Sequence, residues 1–306
     1  MLGSQLTYTG PSLNVANAND DEETRNESTT VLKRAAENFR NTAESVTNYV
    51  IKIINKVKDS TLNVTLEDVN IKANNDAALS VEGAGNTKIT LSGSNTLTGG
   101  DGHAGLEHNE KSKDDNDDSV DTGKLTITSE KDSGILTATG GSGAAGIGGA
   151  RNNGAGIIEI AGGTITEAIG GTGGAGIGGG ANSSKATTIN ITGGTIKNAT
   201  GTDGGAGIGS GYIGGSSTVN ISGDADLKDV TGGEYAAGIG SGHGSGKVDV
   251  VIDGGTIKAT GGDSAAGIGS GLNSRSSVTI KSGTVNATGN GTGAGIGGSD
   301  NNNSSS

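Results

Sequence analysis

Apolar positions recur along most of the chain in a unit of about thirty residues. The tetrad Ala-Gly-Ile-Gly places Ile147, Ile177, Ile208, Ile239, Ile268 and Ile296 at intervals of 30, 31, 31, 29 and 28 residues, and Leu106 and Leu79 extend the series backwards. An apolar pair spaced by two follows each tetrad, as in Ile158/Ile160, Ile189/Ile191, Val219/Ile221, Val250/Ile252 and Val278/Ile280. Spacing of two predicts a strand with one buried face. A third apolar position follows at Ile165, Ile196, Leu227, Ile257 and Val285, so each unit predicts three short strands.

Periods of this length belong to helical repeats, horseshoe units or β-solenoid coils. Helices are disfavoured, because glycine costs about 1 kcal/mol per residue relative to Ala inside a helix and runs such as 171–180 would accumulate that cost. Short stretches of Ile, Val and Thr between Gly, Asn, Asp and Ser fit a solenoid. The pattern predicts an all-β solenoid over 61–298, a three-sided parallel β-helix of about eight coils stacked about 4.8 Å apart. Within the tetrad, Ala145 and Ile147 share one face while Gly146 and Gly148 share the other. That bare strip serves either tight packing between coils or close approach of a flat ligand.

The N-terminal part reads differently. Over 28–58, Leu32, Ala36, Phe39, Ala43, Val46, Val50, Ile53 and Val57 follow a heptad spacing. The spacing predicts one long helix that either caps the first coil or drives self-association. Residues 1–27 read as a flexible leader and 299–306 as a disordered tail or linker. Between Leu106 and Leu125 the repeat is stretched, which predicts an acidic loop insertion at 107–121 carrying Asp114, Asp115, Asp117, Asp118 and Asp121. The loop lacks the Gly and Glu of an EF-hand, leaving a solvated loop or a calcium site of another kind.

Composition narrows the function classes. The chain has 61 Gly, one Pro, no Cys and a net charge of −12, far from average globular usage. The acidic balance argues against nucleic acid, which needs clustered Lys and Arg. Absence of Cys removes thiolate metal sites and thiol catalysis. No stretch approaches 18 apolar residues, so no membrane insertion is expected, and no signal peptide opens the chain.

Candidate chemistry lies on the repeat. Five residues before the tetrad apolar position stand Asp101, Ser142, Thr172, Asp203, Glu234 and Asp263. Stacked coils turn these into a ladder, either capping turns or holding calcium through Asp101, Asp203, Glu234 and Asp263. Lys197, Lys228 and Lys258 line up one residue after the third apolar position; they form either a solvated charged face or a grip for a polyanion. Tyr212 and Tyr235, at opposite ends of the tetrad strand in adjacent coils, are either packing residues or sugar-stacking ones. The GxGxxG matches at 141–146 and 171–176 precede strands rather than helices and carry no dinucleotide meaning. His103, His108 and His243 are scattered, and no acid–base arrangement for an enzyme stands out.

From Thr61 onward the chain resembles the Gly-rich carbohydrate-binding β-helix family of Gram-positive anaerobic bacteria. The resemblance is carried by VTLEDVNI at 64–71, ITLSGSNTLTGG at 89–100, and units such as IDGGTIKATGG at 252–262 followed by AGIG at 266–269. It implies a right-handed, pectate-lyase-like β-helix that is secreted, binds calcium and is not an enzyme. It also implies binding of cellulose or a pectic, uronic-acid polymer. The heptad segment departs from the family and keeps a structural spacer, adhesin or surface-filament subunit open as the alternative.

Overall fold

The computed structural model describes residues 12–17, 28–33, 50–110, 122–130 and 134–299. It is an all-β parallel solenoid of about eight turns. The apolar rows lie on top of one another as the thirty-residue period requires. Leu79 pairs with Leu106, Leu106 with Ile147, Ile147 with Ile177, Ile177 with Ile208, Ile208 with Ile239, and Ile239 with Ile268. The second row runs Ile158, Ile189, Val219, Val250, Val278, and the third runs Leu136, Ile165, Ile196, Leu227, Ile257, Val285. These rows converge in one continuous core, where each fully buried Ile, Leu or Val contributes about 1.5–3 kcal/mol.

The three strands of a coil belong to two sheets. Tetrad strands form a 10-stranded sheet, while the second and third strands share a 15-stranded one. In the later coils those two fuse into single strands, Ser217–Thr231, Val248–Thr260 and Ser276–Thr288. Each bends at a register shift, and Gly254 and Gly255 take φ of +136° and +80° at one such bend.

The long helix expected over 28–58 is not there. Among the described residues there is no helix at all. Ser28–Lys33 and Val50–Asn55 are strands within that segment, and residues 34–49 lie outside the described ones. The reason is local. Val50–Asn55 buries Ile51, Ile53 and Asn55 in strict alternation, and its β-branched residues suit a pleated surface better than a helix. Ile51 and Ile53 pair in parallel with Leu79 and Val81, so the solenoid begins upstream of residue 61. Ser12–Asn17 adds a further strand, its Ser12 opposite Val50. An association driven by a heptad helix therefore loses its structural basis. The acidic residues at 111–121 and the tail at 300–306 lie outside the described residues.

The glycine strip is a packing device. Gly178, Gly209 and Gly240 take φ of +138°, +141° and +138°, and a Cβ on each would stand 1.9 Å from the carbonyl oxygen of the matching glycine in the next coil. A Cβ on Gly176 would stand 2.6 Å from the Gly207 carbonyl oxygen. All four glycines are buried. The strip faces the chain's own backbone and offers nothing to a ligand.

Candidate functional site

The turns on either side of each tetrad strand meet at the surface and are tied together by one recurring hydrogen bond. The N–H just after a tetrad donates to the carbonyl in the turn ahead of the preceding one: Arg151 to Gly102 at 2.9 Å, Ala181 to Gly143 at 2.7 Å, Tyr212 to Gly173 at 2.7 Å, His243 to Gly204 at 2.8 Å and Leu272 to Tyr235 at 2.8 Å. Two columns of turn residues therefore run side by side along one edge of the solenoid. Buried serines fix the second column. The Gly242 and Gly271 N–H groups donate to the hydroxyls of Ser210 and Ser241 at 3.0 and 3.1 Å. The hydroxyls of Ser245 and Ser274 donate to the carbonyls of Gly211 and Gly242 at 2.9 and 2.6 Å.

On two successive coils these columns carry three rings. The His243 imidazole stands edge-on between two phenols, 5.5 Å from Tyr212 with an interplanar angle of 62° and 5.5 Å from Tyr235 with an angle of 65°. Edge-to-face contact at this distance is the favoured geometry for aromatic pairs. Gly204 makes room for it, since a Cβ there would lie 2.9 Å from Tyr212 Cδ2. All three rings remain partly exposed. Three units of the chain match a beta helix repeat. The matched residues are 189–212, 250–272 and 278–300, so the first match ends on Tyr212 and the second takes in Asp263 and Leu272. No curated protein and no solved structure matches the chain. The repeat match and the parallel stack agree on a β-helix protein; neither reaches the Gly-rich carbohydrate-binding family in particular.

The backbone is strained at this edge. Tyr235 takes φ of +61° at a turn position filled by Gly143, Gly173 and Gly204 in other coils. Ile213, beside Tyr212, takes φ of +47° where the matching residues are Asn152, Asn182, Gly244 and Asn273. A β-branched residue in the left-handed region is an outlier, costs about 1–2 kcal/mol, and here is also 48% exposed. Strained backbone concentrates where function uses it.

Beside the rings runs the acidic column. Asp203, Glu234 and Asp263 are exposed, one per coil. The Tyr235 hydroxyl is hydrogen-bonded to Glu234, and this bond, with the charges of Glu234 and Asp263, holds the phenol above its ordinary pKa. Asp101 stands in the same column but is separated from Asp203 by the coils of Ser142 and Thr172. Calcium needs six to eight oxygens converging on one point. Among the described residues no three His, Asp or Glu side chains are placed to hold a metal ion, so no step is built on one.

Lys197, Lys228 and Lys258 are exposed on the third strands, apart from the ring-bearing turns. Asp226 pairs with Lys228 at 2.6 Å and Asp229 with Lys258 at 3.7 Å, so the lysine row is interleaved with acid. The other two histidines lie elsewhere. His103 Nδ1 meets the buried Glu107 carboxylate at 2.9 Å. His108 is fully buried, its ring nitrogens facing the carbonyls of Ala155 and Gly123. His243 is the residue that sequence reasoning passed over. Its signal was present: Tyr212, His243 and Leu272 share one offset from their tetrads.

Proposed function

We propose that this protein is a non-catalytic, extracellular β-helix module that binds an extended polysaccharide along its ring-bearing turn edge. The observation that carries the reading is the Tyr212–His243–Tyr235 cluster, which offers partly exposed aromatic surface held in place by backbone bonds. Phenols present an apolar face to a sugar ring and a polar tip to its hydroxyls. The neighbouring carboxylates supply acceptors for those hydroxyls. Coils spaced about 4.8 Å apart let a linear chain run along the stack past the rings and meet a carboxylate on each of three successive coils, at Asp203, Glu234 and Asp263. The paired lysines and the buried glycine strip contribute nothing to this reading.

Affinity electrophoresis and calorimetry with soluble glucans, chitin oligosaccharides and polygalacturonate test it. Retardation by at least one polysaccharide is expected, with affinity lowered about tenfold by Tyr212→Ala or Tyr235→Ala, in line with the loss of a stacking side chain at a binding site. No retardation by any of them removes the reading.

A further inference from the structure

We infer that the turn edge prefers glycans bearing free amino groups, the polymers of deacetylated amino sugars, over neutral or uronic-acid chains. The inference rests on the carbohydrate reading of the same edge and names the charge of its ligand. Three observations lead to it. First, Tyr212 and Tyr235 stay partly exposed on either side of His243, beside the carboxylate column, and the faces of aromatic rings attract ammonium groups. Second, every charged side chain in the local columns is a carboxylate. From Asp203 to Asn273 the two ring-bearing columns and the acidic column hold Asp203, Glu234 and Asp263 but neither Lys nor Arg. Arg151, the basic residue in those columns, stands two coils away from Tyr212. Third, the acidic column reaches the rings: a hydrogen bond to Glu234, then the charge of Glu234, burial and the charge of Asp263, hold the Tyr235 phenol above its ordinary pKa.

An ammonium group has three donors and no acceptor. It would find acceptors in Glu234 and Asp263 and ring faces in Tyr212 and Tyr235. A uronate carboxylate would meet like charge from the same two residues, which discriminates against it. The basic residues that a polyanion would need are elsewhere, and two of the three in the lysine row already face carboxylates.

Calorimetry at moderate salt compares four oligosaccharides of equal length: a glucosamine oligomer, its fully N-acetylated counterpart, a cellulose oligomer and a galacturonate oligomer. The glucosamine oligomer is expected to bind about tenfold tighter than either neutral sugar, with the galacturonate weakest. In the double variant Glu234→Gln, Asp263→Asn the glucosamine affinity should fall to that of the neutral sugars. In the double variant Asp249→Asn, Asp253→Asn, whose carboxylates lie on the other sheet, the preference should persist. Equal or tighter binding of the neutral or acidic sugars overturns the inference and leaves the carbohydrate reading standing. A preference that survives in the first variant, or is lost equally in the second, also overturns it, because the attraction would then belong to the acidic chain as a whole. Failure of all four to bind removes the carbohydrate reading and this inference with it.

Discussion

Ile213 shows how far a single position can depart from its repeat. Its counterparts Asn152, Asn182 and Asn273 hold the same left-handed backbone with a side chain that tolerates it. Replacing Ile213 with Asn is therefore expected to stabilise the protein by about 1 kcal/mol, read as a higher midpoint in urea. A lower midpoint would mean that the isoleucine packs in a way its exposure hides. The two buried or half-buried histidines titrate in opposite directions. Glu107 raises the pKa of His103 above 6.5 through their hydrogen bond, against burial and with help from the charges of Glu107, Asp76 and Asp101. That stabilisation is complete below pH 6.5 and is lost as pH climbs through the raised value. His108 is lowered below 6.5 because burial outweighs its two carbonyl contacts. The unfolded chain then binds the extra proton, so stability falls as pH drops below 6.5. Glu107→Gln should bring the His103 titration down, followed by NMR of its ring; an unmoved titration would contradict the pairing. At this scale the sequence showed Tyr212 and Tyr235 as candidates. It left the tetrad glycines ambiguous, because a glycine needed for packing and one left open to a ligand are spelled alike.

The strands were legible wherever alternation repeats. The pairs Ile189/Ile191, Val219/Ile221 and Val250/Ile252 carry period-two patterning from coil to coil, and the register follows from it. The N-terminal segment was not legible, because two periods overlap there. Val50, Ile53 and Val57 satisfy a heptad, while Ile51 and Ile53 satisfy a strand, and pairing with Leu79 and Val81 decides for the strand. Two substitutions separate these readings. Ile51→Asp places a charge in the core and should cost about 3 kcal/mol or more in urea denaturation. Ile54→Asp, on the half-buried face, should cost about 1 kcal/mol or less. Equal costs would favour the heptad. The fusion of second and third strands into one sheet was also hidden, since it depends on how Gly254 and Gly255 bend the chain rather than on which side chains are apolar.

Across the whole molecule, stacking turns residues about thirty apart into neighbours, and the candidate site exists only through it. Tyr235 and His243 lie ahead of and behind the same tetrad, while Tyr212 lies behind the preceding one. What joins them is the bond from a turn behind one tetrad to the turn ahead of the previous one. That cross-link cannot be read from the period alone, and this is why His243 looked isolated in the sequence. The chain has four Tyr and three His, so their ring signals can be assigned by single substitution. The decisive measurement is the nuclear Overhauser effect between the His243 ring and the two phenols. Cross-peaks from His243 to both Tyr212 and Tyr235 are predicted from centroid separations of 5.5 Å. Their absence, with all three rings assigned in the folded protein, would contradict the stacked register and the binding edge built on it.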